Sequence, residues 1–337
     1  MNLNFQVEGL FQPFAVRKDE NGNELYRRPL APLQRNLFTN YGLDRLADVP
    51  MSNASSCWVG TGTAPPQPTD TKLGQFKATN SGNYQSQSFS GSTLAEMQTA
   101  DVVWGGLSMF FEFAPGTAVG NITEVGLAFG ANPEAYNLQT RALIKDDNGN
   151  PTSVTVEPGE YLYIAYHRRM YISAKEVQST ITIGTNEIPI STGLYRCGTE
   201  DGAYLIGQGL IYAGTGPGNS NWGPRSSIRV RYAERANGTP VTGDSGAWDA
   251  DVAKARLQSL GAESDTASVT RETYVPGSFQ KINTCVFPPN VGNRKWSGIQ
   301  YDVGWMNFRI QFMAPFTKSS DYTLTFRIGI TWSRYTP

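Results

Sequence analysis

The clearest alternation of apolar and polar residues lies near the end of the chain. Six apolar residues stand there at every second position: Tyr322, Leu324, Phe326, Ile328, Ile330 and Trp332. The residues between them are polar or small. Because successive side chains of a β-strand point to opposite faces, this pattern predicts a strand with one buried and one polar face. Its expected partner is the apolar series in 306–312, joined to it through a turn at 315–321.

Shorter strands are predicted along most of the chain before this point. Their expected ranges are 57–59, 107–113, 121–129, 140–144, 153–156 and 161–172. Apolar residues are nearly continuous in the last range, which is typical of a strand covered on both faces. The segment STITIGTNEIPI predicts a hairpin that turns at Gly184, Thr185 and Asn186.

The segment that begins at Asp146 has some of the spacing of a calcium-binding loop. Asn148 and Asn150 fall at the third and fifth positions, but Pro151 stands at the sixth, where an EF-hand needs glycine. Asn-Gly between two runs of strand formers instead predicts a hairpin between 142–144 and 154–156. Residues 20–23, Glu-Asn-Gly-Asn, repeat this pattern between apolar runs and predict a second hairpin.

One short helix and one irregular loop are predicted near the N-terminus. The helix lies in NLFTNYGLDRLADVP, with Asn40 as its N-cap, Leu43 and Leu46 on one face, and Pro50 beyond its end. The loop is GTGTAPPQPTDT, which begins at Gly60. Its prolines fix φ and lack an N–H group, so we expect it to be ordered but irregular.

Local composition and the predicted elements divide the chain into three parts. Residues 1–193 form an N-terminal β portion with hairpins and a short helix. Residues 194–268 are rich in Gly, Asn and Ser, and we interpret them as an irregular insertion with one helix candidate at 249–260. Residues 269–337 supply strands that complete the core. The predicted fold class is all-β, with an antiparallel β-sandwich-type core, short helices and a Gly/Ser-rich insertion.

Composition narrows the classes of function. Lys and Arg number 28 against 29 Asp and Glu, so no global field attracts nucleic acid or an anionic membrane. The three cysteines, Cys57, Cys197 and Cys285, are far apart and fit neither a disulfide framework nor a CxxC metal site, so we expect reduced thiols. The start of the chain lacks a signal-peptide pattern, and no window is long and apolar enough to span a bilayer. We expect a soluble protein without membrane insertion.

The tetrapeptide Gly-Asp-Ser-Gly around Ser245 spells the nucleophile motif of chymotrypsin-like proteases. That chemistry needs a histidine base and an orienting acid. The single histidine, His167, lies in the middle of a predicted strand among tyrosines and arginines, without the small residues expected around such a base. We therefore expect no protease activity.

Other catalytic and cofactor chemistries find little support. One histidine and three separated cysteines exclude a zinc site built on several imidazoles. The glycines of 214–218 lack the Lys-Ser/Thr of a phosphate loop. Glu112, Glu124 and Glu157 are candidates for a carboxylate pair in glycoside hydrolysis only because sequence does not show their separation. The simpler interpretation is solvated strand-face charge, so we expect no catalytic, cofactor or metal-binding residue.

Two groups of side chains are candidates for recognition. The densest basic run contains Arg229, Arg231 and Arg235, but Glu234 and the near-zero net charge favour a solvated face or salt links between subunits. A sugar-binding platform could be built from four tyrosines: Tyr161, Tyr163, Tyr166 and Tyr171. Tyrosines in strands more often pack or line subunit contacts.

Several stretches taken together resemble a family of tailed-bacteriophage virion proteins, described as tail, tail-fibre-like or minor structural proteins. After the opening hairpin they are NLFTNYGLDRL (36–46), CWVGTG (57–62) with Ala64-Pro65 and Thr69-Asp70-Thr71, NITEVGLAF (121–129), RALIKD (141–146) with GNPT (149–152), and TWSR (331–334). Their order and spacing carry the resemblance, which covers about the first 170 and the last 70 residues. The 194–268 insertion has no counterpart in it.

The resemblance implies a non-enzymatic building block of the virion, assembled in the host bacterial cytoplasm. It would pair with itself as a ring or trimer and dock to other tail, neck or head proteins through strand edges and loops such as 60–71. The alternative is an exposed fibre or capsid-surface module that binds a host-surface glycan through the insertion. A third hypothesis is a glycan-degrading enzyme, against which the lack of a recognisable acid pair counts.

Overall fold

A computed structural model describes residues 2–47, 56–80, 86–92, 96, 100–135, 137–197, 228–233, 265–303 and 306–336. The strands are β1 (Asn2–Lys18), β2 (Glu24–Pro29), β3 (Gln34–Phe38), β4 (Ser56–Gly60), β5 (Phe76–Thr79), β6 (Ser86–Gly91), β7 (Val102–Phe113), β8 (Gly120–Ile122), β9 (Glu124–Ala128), β10 (Leu138–Leu143), β11 (Val154–Val156), β12 (Tyr161–Ser173), β13 (Val177–Ile183), β14 (Asn186–Cys197), β15 (Arg229–Tyr232), β16 (Ser268–Arg271), β17 (Gln280–Phe287), β18 (Lys295–Val303), β19 (Met306–Thr317) and β20 (Leu324–Arg334). The helix α1 spans Asn40–Leu46, and a short 3-10 turn spans Pro133–Ala135.

The predicted all-β class is confirmed, because strands dominate the described residues and pair in antiparallel ladders. Contacts divide the chain into two compact units. Unit 1 contains Met1–Phe5, Ser90–Gly105 and Tyr171–Thr331, and unit 2 contains Gln6–Phe89, Gly106–Met170 and Trp332–Pro337. This division interleaves distant parts of the chain, whereas the division expected from sequence texture follows chain order.

In unit 2, β1, β3, β10, β9, β4 and β5 are hydrogen-bonded neighbours in that order, and β1 also pairs with β2 and β12. The strands β4, β9 and β10 are buried along their whole length. Trp58, Leu73, Ala128 and Leu138 form one hydrophobic cluster of this core. These buried strands contain few charged residues. Because burial of an unpaired charge is costly, each charged residue in them needs a structural explanation.

Both predicted Asn-Gly turns are confirmed, and they use the same bonds. The Asp19 Oδ1 accepts the N–H groups of Asn21 and Asn23 at 2.9 and 2.8 Å. The Asp146 Oδ1 accepts the N–H groups two and four residues later, both at 2.9 Å. Gly22 and Gly149 have φ of 84° and 82°, which glycine adopts without strain. Bonds from Asn23 and Asn150 lower the pKa of the two aspartates.

The prediction that residues 154–156 pair with 142–144 across the second turn is wrong. Across this turn only Lys145 and Pro151 form a β-bridge, and β11 pairs with β8 rather than with β10. The reason is that both edges of β10 are occupied: Thr140 and Arg141 lie opposite residues of β3 on one side and of β9 on the other. A local turn signal does not reveal that an edge is already filled by a distant strand.

The helix α1 is confirmed, but its N-cap is Thr39 rather than Asn40. The Thr39 hydroxyl accepts the Gly42 N–H at 2.9 Å and donates to the Leu138 carbonyl at 2.7 Å. Leu43 and Leu46 are buried, as predicted. The Thr39 hydroxyl is buried and bonded on both sides, whereas the Asn40 Oδ1 is occupied by the Arg334 guanidinium, which explains the shift by one residue.

The last residues of the chain are bonded to this helix region. The Trp332 Nε1 donates to the Leu43 carbonyl at 2.9 Å. The Arg334 guanidinium donates to the Phe38 carbonyl at 2.6 Å and to the Asn40 Oδ1 at 2.7 Å. Unit 2 is thus completed by residues 289 to 296 positions away along the sequence.

The prediction that β12 is covered on both faces holds for its first half. Residues 162–166 are all buried, while beyond them His167, Arg169 and Tyr171 are partly exposed and the residues between them are buried. The second half of the strand is therefore covered on one face only.

Unit 1 contains a five-stranded sheet in the order β13-β14-β19-β18-β15, and β17 lies between β16 and β20. The β13–β14 hairpin is confirmed, with Ile183 opposite Asn186 at its closing pair. The alternation in β20 is confirmed, because Leu324, Ile328 and Ile330 are buried. Its predicted partner is wrong: β20 pairs with β17, whereas β19 pairs with β14 and β18. A period of two fixes the buried face of a strand but not its neighbour.

Part of the segment expected to be an irregular insertion is paired in this unit. Residues 194–197 complete β14, and β15 pairs with β18. The helix candidate at 249–260 lies outside the described residues.

Replacing Thr39 by Val should destabilise the protein by about 1 to 3 kcal/mol, because the Gly42 N–H and the Leu138 carbonyl lose a buried partner. Thr39→Ser keeps the hydroxyl and should cost less than half as much. Denaturant unfolding of the three proteins measures the difference. A loss for Ser as large as that for Val would contradict this expectation, because it would show that the methyl group contributes as much as the hydroxyl to this helix start.

Candidate functional site

The loop between β4 and β5, residues 61–75, is irregular and is held by hydrogen bonds to the core. Thr63, Ala64, Pro65, Gln67 and Pro68 are exposed along its outer side. Its inner side is bonded to the core at several points: the Pro68 carbonyl accepts the Asn40 N–H at 2.6 Å, and the Thr71 carbonyl accepts the Leu138 N–H at 3.2 Å. The predicted combination of order and irregularity is confirmed.

A buried carboxylate at the start of β9 holds both ends of this loop. Glu124 is 0% exposed. Its Oε1 accepts the N–H groups of Gly62 and Gln75 at 2.9 and 2.8 Å, and its Oε2 accepts the Gly74 N–H at 3.0 Å. Three backbone donors on one carboxylate replace the water that burial removes.

The charge of Glu124 is balanced by Arg141, which lies on the neighbouring strand β10. The Arg141 Nε lies 2.9 Å from the Glu124 Oε2. The rest of its guanidinium donates to the Asp70 carboxylate at 2.7 Å and to the Ala64 carbonyl at 3.0 Å. Burial disfavours the charged guanidinium, but the bonds to Asp70 and Glu124 outweigh this effect and raise the pKa of Arg141.

Glycine is required where the loop passes this cluster. A Cβ on Gly62 would collide with the Glu124 carboxylate and would lie 2.8 Å from the Gln75 backbone nitrogen. A Cβ on Gly60 would meet the Gln75 carbonyl. The close approach of backbone to carboxylate therefore depends on the absence of side chains at these two positions.

We name the set Gly62, Ala64, Asp70, Glu124 and Arg141 the loop-anchoring cluster. Its members come from three separate stretches of sequence, CWVGTG with the loop that follows it, NITEVGLAF and RALIKD, all of which carry the resemblance described above. The structure brings these stretches together at one buried ion pair. Sequence reasoning missed this convergence, although a charge inside each of two otherwise uncharged, buried strands was a usable signal.

The chemistry of the cluster is that of support rather than catalysis. The Glu124 carboxylate is inaccessible and its oxygens are occupied by backbone and guanidinium donors. A general acid or base must reach a proton on the substrate, which this carboxylate cannot do. What the cluster offers is a fixed backbone whose outer side chains face solvent.

The other two glutamates considered as a catalytic pair lie elsewhere. Glu112 on β7 accepts a bond from the Lys18 Nζ at 2.9 Å and another from the Tyr163 hydroxyl. Glu157 is exposed in the turn after β11 and donates its N–H to Glu160. None of the described bonds joins two of the three candidates, and each belongs to a different local network.

His167 is bonded to a serine other than the one in the protease-like tetrapeptide. Its Nδ1 lies 2.7 Å from the Ser108 Oγ on β7. Burial, together with the nearby charge of Arg169, lowers its pKa. Ser245 and the glycines of 214–218 lie outside the described residues.

The four tyrosines do not form one surface. Tyr166 is fully buried, and its hydroxyl is bonded to Asn36 and to the Thr140 Oγ1. Burial raises its pKa to about 12. Tyr163 is also buried, and Tyr161 and Tyr171 are partly exposed. A flat sugar platform needs neighbouring exposed rings, so this arrangement favours packing.

The basic run is described only in its strand portion. Arg229 and Arg231 belong to β15, where their backbones pair with Gln300 and Gly298 of β18. Arg235 and Glu234 lie outside the described residues.

Cys57 and Cys285 are free and buried, and burial raises the pKa of both thiols. Among the described residues, no group of three or more His, Cys, Asp and Glu side chains is placed to hold a metal ion. In the same part of the chain, no helix has the length and apolar character needed to cross a membrane.

No protein-family model matches the chain, and neither a curated protein nor a solved structure is similar to it.

Replacing Glu124 by Gln should destabilise the protein by about 1 to 3 kcal/mol, because one of its two acceptor oxygens becomes an NH2 group, which cannot accept bonds from the backbone N–H groups and the Arg141 guanidinium around it. The loop 61–75 should also become sensitive to limited proteolysis. The matched control is Glu272→Gln, which breaks a pair with Arg327 whose side chains are 62% and 44% exposed for Arg and Glu, respectively, and should cost less than about 1 kcal/mol. Equal effects of the two substitutions in denaturant unfolding would contradict the assigned role of the cluster.

The single histidine makes a direct pH test possible, because imidazole signals in a proton NMR titration belong to His167 alone. We expect a pKa below the usual 6.5. The unfolded chain then binds a proton more readily than the folded one. Stability should be full above about pH 6.5 and fall as the pH drops through this value and on to the folded pKa. His167→Gln should remove this contribution, and a measured pKa at or above 6.5 would contradict the burial argument.

Proposed function

We propose that this chain is a non-enzymatic structural component of a bacteriophage virion, belonging to the tail or neck as a collar, tail adaptor or fibre-attachment protein. It acts by self-assembly and by docking to other virion proteins. The observation that carries the proposal is the loop-anchoring cluster, in which three of the stretches that resemble phage virion proteins meet at one buried ion pair.

The physical argument concerns the entropy of binding. A flexible loop loses conformational freedom when it docks, and this loss weakens the complex. Here the backbone of 61–75 is fixed in advance by the Glu124 carboxylate, the Arg141 guanidinium and prolines with restricted φ. Its exposed Ala64 and Pro65 side chains are small and apolar, so a partner surface can approach the backbone closely.

In the described part of the chain, the side chains considered for catalysis do not come together at one site, which also suits a structural role. Glu124 is enclosed, Glu112 is bonded to Lys18, and His167 lies in a strand beside Ser108. The two hydrolase chemistries considered above need a nucleophile with its base, or a pair of carboxyl groups, around one reacting atom. These groups are instead distributed over separate networks, which supports a non-enzymatic assignment.

The glycan-binding alternative makes a different prediction about the isolated protein. It places recognition in 194–268, and most of that segment lies outside the described residues. An internal assembly protein should bind no sugar on a glycan array, whereas an exposed receptor-binding module should bind specific sugars. Binding to specific sugars would favour the glycan-binding alternative over the internal structural role.

The virion proposal predicts that the protein is present in purified phage particles produced by the cell that carries its gene. Particles should also be rescued by a plasmid copy when the chromosomal or phage copy is deleted. In this complementation test Ala64→Glu should reduce incorporation at least about tenfold, since a new charge at a desolvated contact costs 1.4 kcal/mol or more. Quantitative mass spectrometry and gold-labelled antibodies measure incorporation and its position.

Ala64→Ser is the matched control, because it preserves size and charge and should be incorporated normally. Both variants should unfold at the wild-type denaturant concentration, since the Ala64 side chain is exposed. Normal incorporation of Ala64→Glu would show that the loop is not the docking surface. Absence of the wild-type protein from particles would overturn the virion assignment itself.

A further inference from the structure

The strand β13 forms one edge of the five-stranded sheet in unit 1. It pairs with β14, and no other strand of the described chain lies along its second edge. Its side chains are exposed or partly exposed throughout. The strand is seven residues long, so it presents a regular row of backbone donors and acceptors to solvent.

The register of the hairpin identifies these free backbone groups. Ile183 and Asn186 close a two-residue turn and form a hydrogen-bonded pair, and bonded and non-bonded pairs alternate from there. Gln178, Thr180 and Thr182 therefore point their N–H and C=O groups away from β14. Pro189, which has no N–H group, lies opposite Thr180, as a non-bonded pair allows.

This edge lacks the protection that other edges of the chain have. The sequence VQSTITI contains no charge, no proline and no glycine, and its Val, Thr and Ile residues favour strands. The edge strand β2, by contrast, contains Glu24, Arg27, Arg28 and Pro29. At the opposite end of the same sheet, residues 265–267 cover β15 through bonds of Val230 with Asp265 and of Ala267 with Ile228.

We propose that β13 is a self-association edge that pairs antiparallel with β13 of a second copy, around a two-fold axis at Thr180. In this register Thr180 faces Thr180 of the second copy, and Gln178 faces Thr182. These are the residues whose backbone groups are free, so every hydrogen-bonded position of the new ladder is filled from both sides. The two five-stranded sheets would become one continuous sheet.

The side chains agree with this register. On one face Val177, which is 52% exposed, would lie opposite Ile183 of the second copy and become covered. On the other face Thr180 would meet its own copy, a favourable cross-strand pair. No like charges oppose each other at any position, and this self-complementarity singles out a second copy of this chain as the partner.

The inference rests on the self-assembly part of the proposed function and specifies its surface and symmetry. A two-fold edge gives a dimer, or an even-numbered assembly built from dimers, because each copy uses the same strand edge once. It excludes β13 from the head-to-tail contacts that a ring with an odd number of subunits would need.

The test is light scattering of the full chain over a hundredfold range of concentration, with charge variants at the axis. The wild type should reach a mass of twice 36.9 kDa. Thr180→Lys and Thr180→Glu should each be shifted to monomer, with a dissociation constant raised at least about tenfold, because like charges meet at the axis. A one-to-one mixture of the two variants should restore the dimer. Thr180→Val, which keeps shape and backbone, should dimerise like the wild type.

The outcomes separate the inference from the proposed function. A wild-type dimer that persists in both charge variants would overturn the β13 edge and leave self-assembly in place. A wild-type monomer at every concentration would overturn both the edge and self-association in solution. An odd-numbered ring would overturn the two-fold edge alone. Circular dichroism should show unchanged folding of all variants, since Thr180 is exposed; rescue of the mixed dimer is itself a control for folding.

Discussion

Burial of the Arg141–Glu124 ion pair removes two opposite charges from water, which costs desolvation free energy. The conformation of the irregular loop beside the pair depends on the interactions that offset this free energy. Desolvation of the two ions costs several kcal/mol each, and their attraction alone repays it only with good geometry and further hydrogen bonds. The backbone N–H groups of the loop supply those bonds. The dependence is therefore mutual: the loop satisfies the carboxylate, and the carboxylate fixes the loop. Regular strands on both sides hold the pair in place, so the sheet determines where an irregular segment is presented.

The parts of the fold that sequence predicts are those with local causes. The turns at Asp19 and Asp146 follow from a short side chain that bonds to nearby N–H groups and from a glycine with positive φ. The buried face of β20 follows from its period of two. Neighbouring strands could not be predicted in the same way: β11 pairs with β8 because β10 is already flanked, and β20 pairs with β17 across a long sequence separation. Which edges are free is a property of the assembled sheet.

The candidate site follows the same rule. The loop itself was predictable from its glycines and prolines, and Glu124 was singled out as an acid in a strand. Its role was not predictable, because its partners Gly62, Gly74 and Arg141 become neighbours only when β4, β9 and β10 are side by side. A charged residue in a buried strand can be a catalytic group or a support for backbone. Counting the donors around it distinguishes the two, and that count needs coordinates.

The bonds of Trp332 and Arg334 to the α1 region have a consequence for the order in which the chain can fold during synthesis. A ribosome delivers the N-terminal end first, and domains generally fold as they emerge. Unit 2 begins near residue 6 but includes residues beyond 331, while unit 1 takes its first residues from the very start. Neither unit has its full set of residues until almost the whole chain described here has left the exit tunnel. The strands synthesised early therefore have unpaired edges until the late strands are available. A chaperone that binds these edges should matter more for this topology than for one whose units follow each other along the sequence.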